Sequence, residues 1–176
     1  MKRYILTGTP GCGKTSIIKA LEEQGYLVVH EAATDLIAIE QARGNAEPWK
    51  SPVFIDEIIK IQCLRQIQAQ ETDSLIQFYD RSPVCTYALA VYLGYEPSTA
   101  LLEEIERTAG IYENKVFFLE NLGFCEPTAA RRITFEEALK FEKIHEEAYA
   151  KFGYECVKIP AMPLPNRVQI ILEAIQ

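Results

Sequence analysis

Gly8-Thr9-Pro10-Gly11-Cys12-Gly13-Lys14-Thr15 fits the pattern G-x-x-x-x-G-K-[ST] at every fixed position. An apolar run too short for a helix, Arg3-Tyr4-Ile5-Leu6, precedes it. The helical stretch Ser16-Ile17-Ile18-Lys19-Ala20-Leu21-Glu22-Glu23 follows and is closed by Gly25. A glycine-rich turn between a strand and a helix is the context a phosphate-binding loop requires. Gly8, Gly11 and Gly13 admit positive φ and close backbone approach. The amides of the loop, from Gly8 through Ser16, then form an anion nest backed by a helix N-terminus. Lys14 brings a point charge to the β- and γ-phosphates of ATP, and the Thr15 hydroxyl is placed to hold Mg²⁺.

Outward from this loop, short apolar runs at 4–7, 26–30, 75–79, 115–119 and 154–159 alternate with amphipathic stretches. The spacing predicts helices over 16–23, 32–43, 52–70, 83–93, 98–109, 134–152 and 166–176. Thr134 and Glu137 form a capping-box signature, and Gly153 marks the end of that helix. The alternation predicts an α/β fold of about five parallel strands with helices on both faces. With 176 residues, the expectation is a single domain over 1–176.

The net charge of −7 and pI near 5.0 supply no basic excess, which argues against nucleic acid or a membrane surface as partner. No apolar run approaches about 18 residues, so no membrane span is expected. The strand and the loop begin at once, leaving no room for a signal peptide. Cys12, Cys63, Cys85, Cys125 and Cys156 are scattered with no C-x-x-C pair. They read as reduced thiols of a cytoplasmic protein.

Ligands of open α/β sheets bind beyond the carboxyl ends of the strands. Glu31 follows the second run, Asp80-Arg81-Ser82 the third, and Glu120 and Asn121 the fourth. Asp80 closes an apolar strand as a Walker-B acid that binds Mg²⁺ does, or else it caps the next helix. Arg81 clamps a transferring phosphate or makes a structural ion pair with Asp80 or Glu31. Glu31 takes a hydroxyl proton or serves as a helix-terminal acid. Arg131 and Arg132 precede a helix start, where cations are poorly placed for the dipole, and read as arginines that stabilise developing charge on the γ-phosphate or else as a solvated pair. His30 is expected to point into the fold or pack on a helix, with a catalytic role as the alternative. Trp49 stacks on a substrate ring or anchors packing. Cys12 fills a variable loop position, with redox control as the alternative.

These residues together resemble the P-loop kinase branch of the NTPases. The nearer likeness is to small AAA-type ATP-binding domains related to the ribosylnicotinamide kinase domain of NadR, and to deoxynucleoside and thymidylate kinases. It is carried by Gly8 to Thr15, His30-Glu31-Ala32-Ala33, Pro48-Trp49 before Phe54-Ile55-Asp56, Asp80-Arg81-Ser82, Arg131-Arg132 and the ending from Tyr149 to Pro160. The resemblance implies a P-loop three-layer sandwich with strand order 2-3-1-4-5 and a lid segment near 121–134. It also implies ATP and Mg²⁺ on Lys14 and Thr15, Glu31 as base, Arg81 as the arginine of an acidic-Arg-Ser motif, and Arg131 and Arg132 as lid arginines. The expected activity is transfer of the γ-phosphoryl group to a hydroxyl of a small acceptor, nucleoside-like or nucleotide-like. The alternative is a regulatory ATPase or nucleotide-dependent switch acting on a protein partner. A guanine reader is missing, since Asn114-Lys115-Val116-Phe117 lacks the acid at its fourth position. ATP against GTP preference and a homodimer both stay open.

Overall fold

The computed structural model describes residues 1–123 and 133–176. β1 (Lys2–Thr7) leads through the glycine loop into α1 (Lys14–Glu23), followed by β2 (Leu27–Val29) and α2 (Ala32–Ala42). A 3-10 turn at Pro48–Lys50 opens α3 (Val53–Gln70), and then come β3 (Ile76–Asp80), α4 (Pro83–Leu93) and α5 (Thr99–Thr108). β4 (Lys115–Leu119), α6 (Phe135–Lys151), β5 (Glu155–Ile159) and α7 (Leu164–Ala174) complete the described chain. The five strands are all parallel, in the order β2-β3-β1-β4-β5. This is the α/β sandwich and the strand order expected from the sequence.

Burial on both faces explains why the strands read as continuous apolar runs rather than alternating ones. Successive side chains of β1 point to opposite sides. Tyr4 and Leu6 pack with Phe78, Phe117 and Leu119 under α1 and α7. Ile5 packs with Tyr79, Val116, Leu101 and Tyr149 under α4, α5 and α6. A smaller cluster, Leu36, Ile37, Phe54 and Ile58, joins α2 to α3.

Local chemistry sets the helix limits. The Thr134 hydroxyl accepts the Glu137 amide at 3.2 Å, and the Glu137 carboxylate accepts the Thr134 amide at 2.7 Å. The Ser98 hydroxyl accepts the Leu101 amide at 3.2 Å and donates to Asp56 at 2.6 Å, capping α5 and tying it to α3. The N-cap of α4 is Ser82, so Asp80 is not a helix cap and that reading is withdrawn. α7 begins two residues before its predicted start, at Leu164, with Pro163 as its N-cap and Pro165 in its first turn, where proline is favoured.

All parallel pairing presents every strand's carboxyl end on one edge. Leu6 pairs with Asp80, and Thr7 with Phe118, so the glycine loop, Asp80 and the exit of β4 come out side by side.

Phe117 is fully buried in the central layer. Phe117→Ala is expected to cost about 3–5 kcal/mol, read as a lowered urea midpoint. A loss below about 1 kcal/mol would show that this layer can collapse around the gap.

Candidate functional site

The glycine loop is shaped by backbone positions that other residues do not fit. Gly8 has φ 148°, and a Cβ there would stand 2.6 Å from the Leu119 carbonyl oxygen. Gly13 has φ 75° and caps α1 in the left-handed region, with no side-chain hydrogen bond at that cap. Lys14 is the first residue of α1, buried at 5 % exposure, while Thr15 and Ser16 on the same turn are exposed. Thr9 is buried, its hydroxyl 3.5 Å from Glu142 Oε2.

Four charged groups meet at this edge. Lys14 Nζ forms a close hydrogen-bonded ion pair with Asp80 Oδ1 and lies 3.8 Å from Glu31 Oε2. Arg81 Nε lies 2.8 Å from Glu31 Oε1. Its N–H does not line up on that oxygen, so the contact is an ion pair rather than a hydrogen bond. Burial works against the Arg81 charge, and Glu31, then Cys85 and Asp80, outweigh it and raise the guanidinium pKa. Arg81 has φ 75°, the one positive φ on a non-glycine among the described residues. Strained backbone of this kind gathers at functional sites, where the surroundings over-determine it. Here Arg81 N–H donates to the Leu6 carbonyl at 3.0 Å, holding the turn against β1.

Two cavities open onto this cluster. One, of about 300 Å³, is mostly apolar and is walled by Trp49, Phe54, Ile58 and Phe141, with Glu31, Gln62 and Arg81 among its polar groups. The other, of about 650 Å³, is lined by Thr15, Asp80, His30, Asp35 and Arg65. Glu31 and Thr34 line both. Trp49 packs against the α2–α3 cluster, as its packing reading has it, and also lines the first cavity.

Other expectations change. His30 is exposed and meets Glu22 of α1 at 2.8 Å, so it lies against a helix rather than pointing into the fold; β2 ends before it. Cys12 is 2 % exposed, and burial raises its thiol pKa against the pull of Lys14, Arg81 and Arg167. A protonated, enclosed thiol does not suit redox control. Cys63, Cys85 and Cys156 are free thiols. Cys125, Arg131, Arg132 and the centre of the expected lid lie outside the described residues. Among the described residues no helix is long and apolar enough to cross a membrane.

The structure adds residues that sequence reasoning passed over. His145 on α6 is fully buried. Its Nδ1 lies 3.1 Å from the Phe141 carbonyl and its Nε2 3.5 Å from Arg81 Nη1. Burial first, and the Arg81 charge second, push the imidazole down to about 3. It is therefore neutral, with Nδ1 donating to the carbonyl and Nε2 left to accept from Arg81. Tyr149, one turn on, meets Ser82 Oγ at 2.8 Å and Cys85 Sγ at 2.9 Å. Arg65 of α3 donates to the carbonyls of His30 and Glu31 at 2.9 and 2.6 Å, which fixes the backbone that carries Glu31. The available signal was a lone histidine on the apolar stripe Ala138, Phe141, Ala148 and Tyr149.

The family model described as AAA domain matches residues 3–167, and the chain belongs to that family. No curated protein matches it. Among solved structures it is similar to deoxyadenosine kinase from M. mycoides with products dCMP and a flexible dCDP bound, at TM-score 0.63 and 16 % identity, with 98 % of each chain covered. The same kinase with bound dATP gives TM-score 0.57 at 14 % identity, and with bound dCTP 0.56 at 15 %, again over 98 % of each chain. At these identities the likeness is one of fold, that of the P-loop kinases.

Because the folded His145 refuses a proton that the unfolded chain accepts, stability falls as pH drops from about 6.5 toward about 3, by up to about 1.4 kcal/mol per pH unit. His145→Gln, with nothing to protonate, is expected to lose less stability over that window. Urea midpoints measured near pH 7 and near pH 4 check it. Equal losses in both proteins would mean that His145 is charged in the fold.

Proposed function

We propose that this AAA-domain chain is an ATP- and Mg²⁺-dependent phosphotransferase that moves the γ-phosphoryl group to a hydroxyl of a small nucleoside-like or nucleotide-like acceptor. One observation carries the reading: Glu31 lines both the apolar cavity and the cleft that holds Thr15 and Asp80. A carboxylate shared by the two spaces stands where an acceptor hydroxyl would meet a phosphate.

The residues fit the nucleotide. A Cβ at Gly8 or Gly13 would press on Leu119 and Cys12 or on Leu122 and Arg167, so glycine lets the loop hold this shape, and the N-terminus of α1 carries no side-chain cap and no acid in its first turn. Thr15 and Asp80 line one cleft and offer a hydroxyl and a carboxylate, which suit an ion that takes its other ligands from phosphate oxygens and water. When bound, that ion would neutralise charge on the phosphates.

On this reading the loop amides and Lys14 hold the β- and γ-phosphates, and Lys14 exchanges its pairing with Asp80 for phosphate oxygen. The apolar cavity takes the body of the acceptor, with Trp49 and Phe54 against a ring and Gln62 available to its polar edge. Glu31 accepts the hydroxyl proton as the acceptor oxygen bonds to the γ-phosphorus. The bond to the bridging oxygen breaks, ADP leaves with that electron pair, and Glu31 returns its proton to solvent. Arg81, held by Glu31 and faced by His145, supplies positive charge beside the transferring group. Arg131 and Arg132 are assigned to the same task from sequence alone. Enclosure of an apolar space beside Glu31 favours a small acceptor over a protein partner.

Lys14→Ala is expected to weaken Mg·ATP binding by at least about tenfold, measured by calorimetry, since a charge-assisted contact is lost. Unchanged affinity would remove the loop from phosphate binding. Glu31→Gln is expected to slow transfer about 10²–10⁴-fold while Mg·ATP affinity stays within a few fold. The assay is ADP release over a panel of nucleosides and nucleotides, above background hydrolysis. Wild-type transfer by this variant would dismiss Glu31 as base. ADP release that no small acceptor stimulates would favour the regulatory ATPase.

A further inference from the structure

Arg167, on α7, is 2 % exposed and lies directly behind the glycine loop. Its Nη1 donates to the Cys12 carbonyl at 2.5 Å, and its Nη2 to the carbonyls of Glu120 and Ile159 at 3.1 and 3.2 Å. One guanidinium thus joins the loop to the ends of β4 and β5. No carboxylate among the described residues lies within ion-pair distance of it, and its buried Nε has no hydrogen-bond partner there. A buried cation satisfied only by carbonyl oxygens is costly to keep, and packing alone does not call for one.

The carbonyl it takes gives the reason. In a planar trans peptide the C=O of one residue and the N–H of the next point in opposite directions. Holding the Cys12 carbonyl on the α7 side therefore turns the Gly13 amide to the other side, into the loop. The neighbouring carbonyls are held in the same manner. Thr9 O accepts from the Cys12 amide at 3.2 Å, Pro10 O from Asn121 Nδ2 at 2.8 Å, and Gly11 O from the Leu122 amide at 3.0 Å. Gly13 O accepts from the Ser16 and Ile17 amides. With every carbonyl from Thr9 to Gly13 taken, the amides of Gly11 and Gly13 are left with no acceptor among the described residues. Arg167 Nη1 would lie 3.2 Å from a Cβ at Gly13, which places its charge against that peptide.

We infer that Arg167 is the positioning residue of the phosphate-binding loop: it fixes the Cys12–Gly13 peptide so that the Gly13 amide donates inward, and its unneutralised charge strengthens that donor toward a polyphosphate. The inference rests on the phosphate role of the loop and on nothing about the acceptor. It concerns a side chain that does not itself touch phosphate, so the field acts through one peptide group.

The test uses inorganic tripolyphosphate and Mg·ADP as probes, calorimetry for affinity, and amide NMR of the ligand-free protein for Gly13. Arg167→Met is expected to bind tripolyphosphate at least about tenfold more weakly, the order of one lost charge-assisted hydrogen bond, and to displace the Gly13 amide resonance before any ligand is added. Arg167→Lys keeps the charge without the fork and is expected to fall between wild type and Arg167→Met on both readouts. If Arg167→Met does not fold, Arg167→Lys decides: weaker binding with a displaced Gly13 resonance supports the inference, and wild-type values of either overturn it. Weaker binding with an unmoved Gly13 resonance also overturns it, because Arg167 would then serve the fold alone. Wild-type protein that fails to bind tripolyphosphate overturns the phosphate role of the loop and this inference with it. Normal wild-type binding with undiminished Arg167→Met binding overturns this inference only.

Discussion

Lys14 is a buried ammonium held between two carboxylates, and the arrangement of the site follows from that. A charge taken out of water must be met by another charge or by good hydrogen bonds. Asp80 and Glu31 meet it, and Glu31 is in turn met by Arg81. The four groups come from α1, β3, the residue after it, and the N-terminus of α2. Their meeting depends on a parallel sheet that delivers each of these chain segments to the same edge. An antiparallel β3 would have carried Asp80 and Arg81 to the far side.

A second layer fixes the first. α6 presents Glu142, His145 and Tyr149, spaced to share one helical face. Glu142 accepts from Thr9 and from the Asn121 amide, His145 faces Arg81, and Tyr149 bridges Ser82 and Cys85. Burial raises the carboxyl pKa of Glu142, partly against the hydrogen bond from Asn121. Arg65 and Arg167 act from opposite flanks of the sheet, each binding carbonyls at strand ends, and Arg65 also pairs with Asp35 at 2.5 Å. These groups hold Glu31, Arg81 and the loop from several sides, as the proposed transfer by positioning and charge stabilisation would require.

The fold was legible because its signals are local. Five short apolar runs, the helices between them, the Thr134–Glu137 box and the glycine stops all act within a few residues of themselves. The loop and the acids at strand ends were legible for a related reason: a parallel sheet turns position in the chain into position at one edge. The supporting layer was not legible. His145 and Arg167 each sit on the apolar stripe of a helix, and the site group each one meets, Arg81 or Cys12, lies 64 or 155 positions away in the chain. His30 turns to Glu22 of α1 rather than into the fold because β2 ends before it, at Val29. The family model supplies an AAA domain and the solved kinases a fold, so the proposed chemistry rests on the groups gathered at the sheet edge and on the cavity beside Glu31.

The most direct measurement is a crystal structure of the chain grown with Mg·ADP. The account predicts the β-phosphate within hydrogen-bond distance of the Gly11 and Gly13 amides, Lys14 turned from Asp80 onto a phosphate oxygen, and the ion between Thr15 and Asp80. A nucleotide bound elsewhere, with Lys14 still paired to Asp80, would contradict it.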